Sequence, residues 1–179
     1  MYFIIDNNLK IIFGWSAKCG CSHIKKIAGY LQTNNTNCII HTTNETRPLP
    51  KNIQNYTLII IIRNPYERIV SGFLDKYRIN GECRNKWKEP TITFSKFIDQ
   101  LMNKNWDVIN THHFTPQTTE CFNYHLIKKS KTLKIYDICN IDYAYLEKIY
   151  NKSIPEDLIQ FKGGHERKKM NFLKIRYMI

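Results

Sequence analysis

Two clusters of oxyanion donors stand out in the chain. The first is Lys18-x-Gly20-x-Ser22-x-x-Lys25, inside Ser16-Ala17-Lys18-Cys19-Gly20-Cys21-Ser22. The second is Arg63, directly after the run Leu58-Ile-Ile-Ile-Ile62, with Ser71 eight positions further on. Ammonium, guanidinium, hydroxyl and the backbone N–H groups that a glycine leaves open are all donors, so the chemistry these residues share is holding phosphate-like oxygens. Gly20 lets a ligand approach the backbone, Lys18 adds a point charge, and Ser22 either caps a helix or donates its hydroxyl. Taken alone, Arg63 is read equally well as a strand-end salt bridge; the upstream loop is what favours a ligand.

The elements that must position these residues follow from the flanking patterns. Leu58–Ile62 carries no charge and reads as a strand buried on both faces, the habit of a central parallel strand. Asn64 is a good N-cap, Pro65 fits the first helical position, and Glu67 stands three after the cap, so a helix starts at Pro65. Ile69, Val70, Phe73, Leu74 and Tyr77 form its apolar stripe, expected to face the sheet, while Arg68, Ser71 and Asp75 share another face. Upstream, Tyr2–Ile5 and Lys10–Trp15 flank Asp6-Asn7-Asn8 and predict a strand pair. The second of them runs into the Lys18 loop, after which Ile24, Ile27, Ala28 and Leu31 have helical spacing. Both donor clusters are therefore strand, tight turn, helix, and open α/β sheets bind ligands above the carboxyl ends of such strands.

The remaining chain completes an α/β pattern. Cys38–His41 reads as a short strand that would bring His41 to the same edge, and Thr42–Tyr56 as a polar loop holding Glu45. Thr93 caps a helix whose Phe94, Phe97, Ile98, Leu101 and Met102 are core. His112-His113-Phe114-Thr115-Pro116-Gln117 is a Pro-interrupted segment, either acceptor-facing or a connector. Leu133–Ile138 predicts the last buried strand and Tyr143–Tyr150 a helix with Leu146, Ile149 and Tyr150 inward. Phe161–Lys169 is a glycine-hinged basic stretch, and Gly163–Lys169 is left open as a phosphate-closing loop or a solvated tail. The expected fold is a single α/β domain over 1–179, with a central mainly parallel sheet flanked by helices.

Composition narrows the partners. The 179 residues include 27 Lys plus Arg against 15 acids, a formal net charge of +12. That excess favours an anionic partner, although the abundance of Asn, Ile and Lys also fits an A/T-biased genome. No run of twenty apolar residues and no export-signal pattern is present, so the chain is read as soluble, cytoplasmic and without a membrane anchor. Sequons at Asn34, Asn44, Asn55 and Asn151 are read as by-products of Asn abundance. The six cysteines, at 19, 21, 38, 83, 121 and 139, do not pattern as a disulfide scaffold and are read as reduced thiols. Cys19-x-Cys21-x-His23, Cys38-x-x-His41 and Cys121-x-x-x-His125 offer metal-ligating types but no paired C-x-x-C knuckles, so no metal is expected.

The Lys18 loop lacks the Gly-Lys-Ser/Thr ending of a nucleoside-triphosphate P-loop, since Cys21 follows Gly20. It resembles instead the 5′-phosphosulfate loop of sulfotransferases that use 3′-phosphoadenosine 5′-phosphosulfate (PAPS), with Ala17 in place of the usual Pro. Arg63-Asn64-Pro65-Tyr66-x-Arg68-x-x-Ser71 resembles the same family's 3′-phosphate motif, with Asn64 replacing the more usual acid. Asp75-Lys76-Tyr77, the His-aromatic-x-Pro-Gln segment ending at Gln117, and the Ile135–Glu147 strand-then-helix are similar to the membrane-type carbohydrate sulfotransferases.

That resemblance implies a P-loop-NTPase-like sulfotransferase fold and a set of roles. Lys18, Cys19, Gly20, Cys21, Ser22 and Lys25 would bind the 5′-phosphosulfate, with Lys18 also catalytic, and Arg63 and Ser71 would bind the 3′-phosphate. A His between the two motifs is the family's general base for uronic-acid acceptors, which nominates His41, with Glu45 as its understudy and as a candidate acceptor contact beside His113. PAPS is the implied donor and a hydroxyl-bearing glycan the implied acceptor; no nucleic-acid partner is expected, and oligomeric state is left open. Two rival classes are a nucleotide or small-molecule kinase of related fold and a basic, non-enzymatic glycan- or nucleic-acid-binding module.

Overall fold

In the computed structural model of the chain, the described residues are 1–38, 49–77, 81, 83, 87, 92–117 and 124–161. They divide into two compact units, the first drawing on Met1–Arg63 and the chain from Gln117 onward, the second on Asn64–Pro116.

The first unit is built on a four-stranded sheet. Strands β1 (Tyr2–Asp6) and β2 (Ile11–Trp15) pair antiparallel from Tyr2↔Trp15 to Asp6↔Ile11. Asp6 closes the hairpin, its Oδ1 accepting from the backbone N–H groups of Asn8 and Leu9 at 2.9 and 3.0 Å. Strand β3 (Thr57–Ile62) lies parallel to β2, with Trp15↔Ile61 in register, and β4 (Thr132–Asp137) lies parallel to β3, with Ile62↔Asp137 in register. The order is β1-β2-β3-β4. The expected mainly parallel sheet and its leading hairpin are therefore present.

Alternation along β2 and β3 explains why the central strands have almost no polar residues. Phe13, Trp15, Ile59 and Ile61 point to one face, where they meet Ile24, Ile27, Ala28 and Leu31 of α1 (Cys21–Thr33). The same cluster takes in Leu146 and Tyr150 of α6 (Tyr143–Tyr150) and Leu158 of α7 (Glu156–Ile159). Ile12, Leu58 and Ile60 point to the other face, against Phe3, Ile53, Tyr56 and Ile127, the last in the short α5 (Tyr124–Ile127). A strand covered on both sides loses its hydrophobic alternation, which is what the run of isoleucines encodes. Asn34 and Asn151 end α1 and α6 with φ near +62° and +48°, a use of asparagine that its side chain permits. Strand β4 corrects an expectation: it stands at the end of the strand order, no residue in it is fully buried, and Ile135 is 54% exposed. Its outer position is why the alternation was legible there and absent from β3.

The second unit is helical. Asn64 caps α2 (Pro65–Lys76) by accepting from the N–H groups of Tyr66 and Glu67, and Thr93 caps α3 (Phe94–Met102) by accepting from Lys96. Within this unit the α2 stripe builds a core: Phe73 and Tyr77 are buried with Phe97, Ile109 and Phe114, and Ile69 and Leu74 pack around them. Rings stand 4.9 Å apart for Phe97–Phe114 and 5.0 Å for Tyr77–Phe97. Gly72 admits Phe114, whose ring would lie 2.6 Å from any added Cβ. Met102, expected in the core, is 75% exposed at the helix end. The His112–His113 segment forms the one-turn α4 (Thr111–Phe114), which sends Phe114 inward.

Candidate functional site

The in-register parallel pairing brings the ends of β2, β3 and β4 to one edge of the sheet, so the turns that follow them are neighbours. After β2, Cys19 N donates to Ser16 O at 3.2 Å, and the chain then takes two left-handed residues, Lys18 at φ +67° and Gly20 at φ +76°. A lysine in that region is strained by roughly 1–2 kcal/mol, and such strain is retained where the surroundings impose it. Left-handed residues in a tight turn are one of the backbone devices from which anion-binding concavities are made. Gly20 is also the N-cap of α1, and no side chain caps that end, so the first helical N–H groups are left to a ligand or solvent. An added Cβ at Gly20 would run into the side chain of Ile138, which follows β4.

After β3 comes Arg63, only 6% exposed although it is charged. Its Nη1 donates to the carbonyl of Lys18 at 3.2 Å, so the strand-end guanidinium and the Lys18 loop are in direct contact. The structure thus brings together two of the residues singled out by spacing alone. Lys18, Gly20, Cys21 and Lys25 are half-exposed, Ser22 is exposed, and Cys19 is fully buried.

Gln117, which sequence reasoning did not single out, joins Arg63 to the Lys18 loop. Its Oε1 accepts from Arg63 N at 3.0 Å and from the Cys19 thiol at 3.0 Å, and its Nε2 donates to Arg63 O at 2.8 Å. Its one mark in the sequence is the last letter of the His-aromatic-x-Pro-Gln segment.

His23, the residue after Ser22, is also buried. Its Nδ1 donates to Phe161 O at 2.7 Å, which fixes the neutral tautomer and leaves Nε2 to accept from the Tyr143 hydroxyl at 2.7 Å. Burial lowers the His23 pKa from its usual 6.5, against a smaller raising effect of the Phe161 carbonyl, and burial raises that of Tyr143. The Lys26 ammonium lies 4.2 Å from the Phe161 ring centroid, so the chain entering the basic stretch is held to α1 at two points.

In the second unit Ser71 lies half-buried on α2, and Arg68 is 5% exposed with Nη1 donating to Thr115 O at 2.9 Å. His113 is half-buried with Nδ1 3.0 Å from Asn110 Oδ1, and its ring lies 4.6 Å from that of His112. Burial lowers the pKa of His112. Tyr77 binds the same region, donating to Val108 O at 2.9 Å and accepting from Asn110 N at 2.7 Å, and burial pushes its pKa up to about 12. His41, Glu45, Cys121 and the Gly163–Lys169 stretch lie outside the described residues, as does all of the Cys38–His41 strand beyond Cys38. No group of three metal-ligating side chains is found among the described residues, and no described helix is long and apolar enough to cross a membrane.

A family model described as the sulfotransferase family matches residues 1–151 of the chain. The chain belongs to the sulfotransferase family. Comparison with curated proteins and with solved structures returns no match. The matched span of this sulfotransferase contains the hairpin, the Lys18 loop, β3 with Arg63, all of the second unit's described residues, β4 and α6. Its fold is accordingly an α/β, P-loop-like one, and its activity is sulfuryl transfer.

Proposed function

We propose that this sulfotransferase takes its sulfuryl group from PAPS and delivers it to a hydroxyl of a carbohydrate. The observation that carries the reading is the contact of Arg63 Nη1 with the Lys18 carbonyl, which sets a guanidinium beside an anion-cradling loop at the carboxyl edge of a parallel sheet. Sulfuryl transfer, like phosphoryl transfer, asks a protein to align the reactants and to stabilise charge. Lys18, Gly20, Cys21, Ser22 and Lys25 take the 5′-phosphosulfate, Cys19 shapes the loop, and Arg63 and Ser71 take the 3′-phosphate. As the bond from sulfur to the donor's phosphate oxygen breaks, Lys18 and the loop N–H groups receive the charge left on that phosphate. The acceptor oxygen forms the new bond to sulfur and gives its proton to a base, the role assigned to His41, since histidine as a residue type ordinarily titrates near 6.5. His113 and Glu45 serve the acceptor, and the two units work as one domain. None of these steps calls for a metal.

A nucleotide kinase would need a Walker lysine after Gly20, where Cys21 stands. A basic binding module would need only the charge. Calorimetry with adenosine 3′,5′-bisphosphate, ATP and an oligonucleotide separates the three. The bisphosphate alone should bind tightly; preferred binding of ATP or of the oligonucleotide would replace this reading by one of its rivals.

A further inference from the structure

We propose that Gln117 is a positioning residue of the donor site, whose amide locks the Arg63 strand end and the Lys18 loop into a single anion cradle. The inference rests on the donor reading above and assigns that site a residue outside both phosphate motifs.

The geometry leaves the amide one orientation. Oε1 faces two donors, the Arg63 N–H and the Cys19 S–H, and Nε2 faces an acceptor, the Arg63 carbonyl. Turning it over would set NH2 against N–H and oxygen against oxygen. The pair of bonds to the backbone N–H and C=O of one residue does for Arg63 what a neighbouring strand does for Ile62, which stays in the β3–β4 ladder while Arg63 has left it. The third bond reaches the buried thiol in the middle of the Lys18 loop. A return contact, Arg63 Nη1 to Lys18 O, closes the circuit from amide to strand end to loop and back.

Position along the chain explains why an amide is placed there. Arg63 is the last residue of the first unit's opening segment, and Gln117 is the first residue of its return segment. A side chain that binds both the backbone N–H and the C=O of Arg63 therefore joins the exit and the re-entry of the chain within that unit. Whatever the excursion between them does, the guanidinium keeps its root. A glutamine suits this better than a charged residue, because the Arg63 backbone presents a donor and an acceptor and the Cys19 thiol presents a second donor.

The distinction from a merely structural role lies in ligand selectivity. If Gln117 holds Arg63 in place for the 3′-phosphate, its loss must reduce the preference for adenosine 3′,5′-bisphosphate over adenosine 5′-monophosphate, which lacks that phosphate. General loosening of the fold would leave the ratio alone. The experiment is calorimetric titration of both nucleotides into wild type, Gln117→Met and Gln117→Asn. Met keeps the length without the hydrogen bonds; Asn keeps the amide but withdraws it, and serves if the Met variant does not fold. The expected result is a ratio about tenfold lower in Gln117→Met and in Gln117→Asn than in wild type. A folded Gln117 variant with the wild-type ratio overturns the inference while leaving the donor reading intact. Wild type that binds neither nucleotide overturns both.

Discussion

At the scale of single residues, charge and backbone conformation divide the work. Lys18 and Arg63 each bring a cation to the proposed donor, and hydrogen bonds to charged groups are worth about 1.5–3 kcal/mol. Lys18→Ala and Arg63→Ala should therefore each weaken adenosine 3′,5′-bisphosphate binding by about that amount in calorimetry; two variants that bind like wild type would show that the motifs were wrongly assigned. Gly20 is constrained twice, by φ +76° and by the Ile138 side chain. Gly20→Ala should accordingly lower both the unfolding midpoint and the nucleotide affinity, whereas the neighbouring exposed Ser22→Ala should lower only affinity.

His23 yields a pH prediction whose sign follows from its burial. Its folded pKa lies below the usual 6.5, so the unfolded chain takes up the proton more readily. The contribution to stability is present above about pH 6.5 and is lost as the pH falls through 6.5 toward the folded value. Scanning calorimetry from pH 7.5 to 5.5 should show a falling midpoint in wild type and a flatter profile in His23→Gln. Equal slopes would remove His23 as the group responsible.

At the scale of elements, what was legible depended on whether a signal was local. Asn64, Pro65 and Glu67 announce the start of α2, and Asn64 does cap it, because a cap is decided within four residues. The Leu58–Ile62 run announces a strand covered on both faces, and it is one, because burial on both faces removes polar residues from the strand itself. The partner of an apolar stripe is not local. The stripe of α2 reads the same whether it packs on a sheet or on the aromatic rings of α3 and α4, so its packing on those rings was not legible. Gln117 shows the same limit, since two polar letters 54 positions apart carry no mark of each other. The α2–α3–α4 core has its own test: Phe97 is fully buried among Phe73, Tyr77 and Phe114. Phe97→Ala should cost about 3–5 kcal/mol in denaturant unfolding. A cost below 1 kcal/mol would mean that the ring is not the centre of that core.

At the scale of the whole molecule, the chain passes between its two units at Arg63–Asn64 and at Pro116–Gln117, with the two residues on the first unit's side bonded to each other. The net charge of +12 suits a donor with several phosphate charges and an acidic glycan, although it does not itself select them. The central claim is that the edge carrying the Lys18 loop and Arg63 is the donor site of a PAPS-dependent enzyme acting on carbohydrate. The most direct measurement is transfer of labelled sulfuryl from PAPS to a panel of glycans, run with wild type and Lys18→Ala. The account predicts label in at least one glycan with wild type, retained after exhaustive chelation and reduced on the order of a hundredfold in Lys18→Ala. Label that never leaves the donor across the panel, or transfer that Lys18→Ala leaves unchanged, would contradict it.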